Sequence, residues 1–178
     1  MNIRSVLVTG AARRIGRQMA LDLAGEGWDV AVHCNASRGE AEEVARLIDR
    51  AGRKSIVVQG DLALPEVPER LIAEASQALG GLTCLINNAS VFEPDVVGSI
   101  TAASWARHLD INLRAPVFLS QAFAKQLPKR AHGNIVNIID QRVLRPTPQF
   151  FSYSASKAGL WAVTRTMAQA LAPRIRVN

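Results

Sequence analysis

The 178-residue sequence predicts a single doubly wound α/β domain, a parallel sheet with helices on both faces. Three observations predict it. Short apolar runs alternate with longer amphipathic stretches along the whole chain. Ala, Val, Leu and Ile dominate the apolar residues, while aromatics make up only 5%. The first apolar run ends in a glycine-bearing turn, Thr9-Gly10-Ala11-Ala12-Arg13-Arg14-Ile15-Gly16. Strand–helix alternation implies parallel strands joined by right-handed crossovers. Ligands of such sheets bind beyond the strands' carboxyl ends. A chain of this length is too short for two cores of ordinary size, so residues 1–178 are expected to form one domain.

The elements follow in order. Residues 3–8, 30–33, 55–59, 82–87 and 134–139 read as strands buried on both faces, each too short for a helix. Residues 14–25, 40–51, 65–79, 101–127 and 152–171 carry helical periodicity. Gly27 and Gly52 can end helices with positive φ, and Pro65 can occupy a first helical turn. Pro116 is expected to kink or interrupt the fourth helix. Arg174–Asn178 reads as the start of another strand, so the domain is expected to continue past Asn178.

Apolar residues at 48% and charged residues at 20% indicate a packed domain rather than disorder. No run approaches the roughly 18 apolar residues of a membrane span. The short apolar stretch before Arg13 and Arg14 lacks a signal-peptide pattern, so a cytoplasmic protein without membrane association is expected. Cys34 and Cys84 lie in apolar runs without metal-ligand spacing, which points to reduced buried thiols and no metal. The net charge is +6. Residues 1–89 hold 10 Lys/Arg against 11 Asp/Glu, and residues 90–178 hold 11 against 4. The later cations are scattered, without interleaved aromatics or a nucleic-acid motif, so nucleic acid is not an expected partner. An anionic small molecule or a subunit contact suits that basicity better.

The glycine turn carries the first chemistry. Gly10 permits a tight turn and Gly16 a close backbone approach, and the following helix offers free N–H groups to a pyrophosphate. Farther on stand Asn87-Asn88-Ala89-Ser90 after the fourth strand, Asn112 in the next helix, and Tyr153 and Lys157 four residues apart. In that order, over essentially the whole chain, these motifs resemble the short-chain dehydrogenase/reductase family. Two departures resemble its pteridine reductase branch: Arg14 where the wider family has glycine, and Asp140 where it has serine, thirteen residues before the tyrosine. Ser90-Val91-Phe92, Asn112–Pro116 and Ile138-Ile139-Asp140 strengthen that resemblance, and the dihydromonapterin reductases are a near variant.

The resemblance implies a Rossmann-like fold, NADPH as cofactor, a pterin- or folate-like substrate and a homo-oligomer, tetramer or dimer. It places Gly10, Arg13, Arg14, Ile15, Gly16, His33, Asn35, Ser37, Asp61, Leu62, Asn88, Ala89 and Ser90 at the cofactor, with Asn87 beside the adenosine ribose. The second strand is followed by Asn35-Ala36-Ser37-Arg38 with no carboxylate. That absence, with Arg14 and Ser37 near a 2′-phosphate, favours NADPH over NADH. Arg38 either assists that phosphate or begins a solvated helix face.

Tyr153, Lys157, Asp140 and Asn112 form the implied catalytic set. A tyrosine with a pKa of about 10 is a weak acid–base group at neutral pH, and a neighbouring ammonium is expected to lower it. Asp140 suits a nitrogen heterocycle, accepting from ring N–H groups or delivering a proton if its pKa is raised. The plainer reading is a strand-end aspartate capping a turn or pairing with Arg142. Phe92 and Ser90, with Asp140 and Tyr153, are the implied substrate contacts, Phe92 stacking on the pterin. A lone Phe after a strand otherwise belongs to a core or lid. Two further readings stay open: a general carbonyl reductase of 3-oxoacyl or diketone substrates, and a dinucleotide-binding protein without turnover.

Overall fold

A computed structural model describes residues 4–178. Six strands form one parallel sheet in the order β3-β2-β1-β4-β5-β6. In chain order these are β1 (Ser5–Val8), β2 (Asp29–Cys34), β3 (Ser55–Gln59), β4 (Cys84–Asn87), β5 (Gly133–Asn137) and β6 (Ile175–Val177). Ile3 of the first expected strand lies outside the described residues. The helices are α1 (Arg14–Gly25), α2 (Arg38–Arg50), α3 (Val67–Leu79), α4 (Ala102–Leu109), α5 (Ala115–Gln126) and α6 (Phe151–Leu171).

Strand alternation divides the core into two layers. Val6 and Val8 of β1 and Cys84 and Ile86 of β4 pack with Ala20 and Ala24 of α1 and Ala41, Val44 and Ile48 of α2. Leu7 and Leu85 point the other way, towards Leu71 and Ile72 of α3 and Leu119 and Phe123 of α5. The spacing of Ala41, Val44 and Ile48 is one helical face, which seats α2 on the sheet. The strand order reverses between β1 and β4, and a crevice opens beyond their carboxyl ends.

Two helix boundaries differ from expectation. Pro65 lies in the preceding turn, and Pro68 occupies the first turn of α3. Residues 101–127 are not one helix kinked at a proline. Thr101 and Ser104 form a capping box that starts α4, and a wider π-helical segment, Asp110–Arg114, separates α4 from α5. Pro116 has no N–H for a regular bond to the carbonyl four residues back, that of Asn112, and the widened turn accommodates its ring. Asn112 therefore sits on a π segment, a distortion that recurs at functional sites.

A buried polar chain ties the sheet to α6. Asn87 and Asn137 are register partners on β4 and β5. Asn87 Nδ2 donates to Asn137 Oδ1 at 2.8 Å, and Asn137 Nδ2 donates to Thr164 Oγ1 of α6 at 2.8 Å. This chain sets α6 relative to the ends of β4 and β5.

Candidate active site

The crevice holds a cleft of about 520 Å³ with two differently built ends. At one end, the turn after β1 meets the turn after β4. Asn88 and Ala89 donate their backbone N–H groups to Thr9 Oγ1, both at 2.9 Å, and Asn88 Nδ2 donates to the Thr9 carbonyl at 2.9 Å. Gly10 takes φ +64°, and a Cβ at Gly16 would come within 2.2 Å of the Gly10 carbonyl oxygen and 2.6 Å of Asn88 Nδ2. The approach of α1 to this turn thus requires glycine at position 16. No side chain caps the first turn of α1, leaving its N–H groups facing the cleft end.

Gly10, Arg13, Arg14, Ile15, Gly16, His33, Asn35, Asp61, Leu62, Asn88, Ala89 and Ser90 all line the cleft; Ser37 does not, standing at the N-cap of α2. Arg14 adopts φ +51°, the left-handed conformation that glycine takes without penalty. For arginine that geometry costs on the order of 1–2 kcal/mol. Arg13 is paired with Glu40 of α2, and Arg38 with Glu42 at 2.9 Å. Arg38 also donates to Gln59 Oε1 at 3.2 Å, on the exposed face of α2. His33 is a support rather than an exposed contact: Nδ1 accepts from the Gly10 N–H at 3.1 Å and Nε2 meets the Gly60 carbonyl at 3.0 Å. Burial lowers its pKa, in keeping with a neutral ring whose Nε2 carries the proton.

Tyr153 and Phe92 line the other end, while Asp140, Asn112 and Lys157 do not line the cleft itself and stand behind it. Tyr153 and Lys157 stand one turn apart on α6, and Asp140 follows β5. Tyr153 Oη donates to Asp140 Oδ2 at 2.8 Å, and Lys157 Nζ donates to the Ile138 carbonyl at 2.8 Å. Asp140 Oδ1 also accepts from the Arg142 N–H at 2.9 Å, so it both caps its turn and engages the tyrosine. Asn112 is wholly buried. Its Oδ1 accepts from the Val91 N–H at 2.8 Å, and its Nδ2 donates to the Val91 carbonyl at 2.9 Å and to Ser156 Oγ at 3.0 Å. Asn112 clamps the loop after β4 to α6. Phe92, 50% exposed, lies edge-on to Tyr153 at 4.7 Å between centroids and stacks on Phe150 at 4.1 Å.

The expected direction of the tyrosine pKa is reversed. Burial, followed by the hydrogen bond and charge of Asp140, raises the Tyr153 phenol above its ordinary value. Lys157 Nζ is 5.8 Å from the ring centroid, with its direct hydrogen bond to Ile138. Burial lowers Lys157 itself to about 8. Asp140 is not raised either: burial acts upward, but the Arg142 N–H, the Tyr153 hydroxyl and the Arg142 and Lys157 charges outweigh it. The pair therefore rests as a protonated tyrosine donating to a carboxylate.

A model of the short chain dehydrogenase family matches residues 4–178. The chain belongs to that family. A short-chain type dehydrogenase/reductase of Picea abies is 34% identical over 176 residues, covering 94% of this chain and 65% of the relative. The 3-oxoacyl-[acyl-carrier-protein] reductase FabG of Staphylococcus epidermidis is also 34% identical, covering 98% of this chain and 72% of the relative. This short-chain dehydrogenase thus spans about two thirds to three quarters of the length of these relatives. The solved structure of FolM alternative dihydrofolate reductase 1 from Brucella canis is 50% identical, with a TM-score of 0.95 over 98% of this chain and 71% of that one. That structure is complexed with NADP, as is a similar short chain dehydrogenase from Burkholderia cenocepacia.

Several residues around the site carry no sequence signal because their role depends on distant partners. Asp95 caps α6 from another segment, its Oδ1 accepting from the Ser152 N–H at 3.0 Å. His108 is buried on α4, and its Nε2 accepts from the Glu93 N–H at 3.2 Å beneath the Tyr153 ring. Phe150 enters α6 at φ +61°. Arg107 and Ile111 line the cleft from α4 and the π segment. Only the backbone signal at Pro116 hinted at any of these. Among the described residues, no cluster of His, Cys, Asp and Glu is placed to hold a metal ion, and no helix is long and apolar enough to cross a membrane.

Proposed function

We propose that this chain is the dinucleotide-binding and catalytic part of an NADPH-dependent reductase of pterin- or dihydrofolate-like rings. The single observation that carries the reading is the 2.8 Å hydrogen bond from Tyr153 to the Asp140 carboxylate, at the cleft end flanked by Phe92. The 50% identity to the Brucella canis dihydrofolate reductase supports it.

The cradle fits a dinucleotide. Gly10 and Gly16 leave backbone where a side chain would intrude, and the uncapped start of α1 faces the same space. Arg14 at that end and the missing carboxylate after β2 favour a 2′-phosphate. NADPH, when bound, supplies hydride to a ring carbon. The chain's own groups supply the proton for the adjacent nitrogen. Tyr153, kept protonated by its surroundings, holds that proton at Oη. Asp140 orients the hydroxyl and accepts from a ring N–H, and Lys157, held by the Ile138 carbonyl one turn along α6, supplies positive charge beside the pair. Phe92 offers its exposed half to a flat ring.

The FabG relative supports a second reading, reduction of a 3-oxoacyl carbonyl. A carbonyl oxygen gaining negative charge needs donors, and a carboxylate beside Tyr153 repels it. NADPH oxidation by the protein with a dihydropterin, dihydrofolate and a 3-oxoacyl thioester separates the two. Ring substrates should exceed the thioester by at least about a hundredfold in kcat/KM. The reverse order would overturn the ring reading.

A further inference from the structure

We propose that Arg142 is a specificity-determining positioning residue, which fixes Asp140 and the Phe92–Phe150 pair around Tyr153 so that the site receives ring N–H groups rather than carbonyl oxygens. The inference rests on the ring-reductase reading above and names the residue that sets its selectivity.

Arg142 occupies a short 3-10 turn, Gln141–Val143, directly after Asp140. Its backbone N–H and its guanidinium address the same carboxylate oxygen, Asp140 Oδ1, at 2.9 Å and 3.7 Å. The same guanidinium lies 5.1 Å from the Phe92 centroid, 4.9 Å from that of Phe150 and 6.0 Å from that of Tyr153. One cation thus touches every ring of the aromatic group and the acid beside it. Its Nε is buried without a hydrogen-bond partner among the described residues, so ring faces and a carboxylate hold the group in place. The groups acting on Asp140 are Arg142 from its own turn and Tyr153 and Lys157 from α6.

Before substrate binds, the Tyr153 hydroxyl donates to Asp140 Oδ2. An ionised Asp140 offers acceptors only, which matches a ring N–H and opposes a carbonyl oxygen. Without the Arg142 charge, Asp140 takes up a proton more readily and becomes a donor, the property a serine would bring. Phe150, held at φ +61°, also loses the cation packed on its face. Lysine lacks the planar fork and stacks poorly, so it keeps the charge without the aromatic clamp.

The test compares the parent with Arg142→Met and Arg142→Lys. In Arg142→Met, the acid limb of the kcat/KM profile for a dihydropterin should move up by about 1 pH unit. The ratio of 3-oxoacyl to pterin turnover should rise about tenfold, and Arg142→Lys should return the limb towards the parent's position. A uniform fall in rate with the limb and the ratio unmoved would overturn the proposal and make Arg142 a packing residue. Titration of the Asp140 carboxyl carbon by NMR in parent and Arg142→Met reads the same point without turnover. A parent inactive on pterins contradicts the ring reading; an Asp140 titration indifferent to Arg142→Met contradicts this one.

Discussion

The two ends of the cleft are built on different principles. The phosphate-turn end is made of backbone: Thr9 Oγ1 receives two N–H groups, and Gly10 and Gly16 bring α1 against the turn after β4. Its geometry follows from local sterics and from one register, Val8 opposite Ile86. The opposite end is made of side chains drawn from α6, the π segment and the loops after β4 and β5, balanced by charge and burial. The first end tolerates almost no added atom. The second is tuned by which proton sits where.

Breaking each end separately sharpens that contrast. Tyr153→Phe removes the proton and should lower turnover by about 10³-fold. Its cofactor affinity should stay within about twofold of the parent's, because the turn is untouched; equal losses in both would contradict the separation of the ends. Gly16→Ala acts in the opposite sense. A Cβ 2.2 Å from the Gly10 carbonyl must push α1 away, at a cost of about 1–3 kcal/mol in stability. NADPH affinity, measured by calorimetry, should fall at least about tenfold. An undisturbed melting temperature and affinity would show that the turn gives way.

The smallest effect is a pH dependence of folding. Lys157 titrates at about 8 in the folded chain against 10.5 for an ordinary lysine. Between those values the unfolded chain holds more protons, so stability rises with pH. Cys34, Cys84 and Tyr153 have raised values and act in the opposite direction, the two thiols from about pH 8 upward. Chemical denaturation should therefore show a net gain of only about 0.5 kcal/mol between pH 8 and 9. Lys157→Met should flatten that rise, and a rise persisting in the variant would assign it elsewhere.

The contrast also explains what could be read without coordinates. The parallel sheet and the glycine turn are legible in the sequence because strand–helix alternation, Gly10 and Gly16 are local signals, whereas the strand order is not. Tyr153, Lys157 and Asp140 were found through a resemblance, and their distances do bring them together. Their titration is not legible in the same way: the charges near Tyr153 in the sequence point to a lowered phenol, whereas burial and the Asp140 carboxylate raise it. Asp95, His108 and Phe150 act across 15 to 58 positions of chain, through contacts such as Asp95 to Ser152, and Arg142 reaches the distant Phe92 as well as its neighbour Asp140. No periodicity records such pairs. The π segment was half visible, since Pro116 signalled a break without giving its form.

In the proposed function, the Tyr153–Asp140 pair fits the site to ring nitrogens. Asp140→Ser tests it most directly, because serine restores a neutral hydroxyl donor while leaving the turn, Phe92 and Lys157 in place. The measurement is the ratio of kcat/KM for a dihydropterin to that for a 3-oxoacyl thioester, with NADPH, in parent and variant. The ratio should be at least about a hundredfold lower in Asp140→Ser, with NADPH affinity unchanged. An unchanged ratio, with the variant reducing the pterin as fast as the parent, would contradict it.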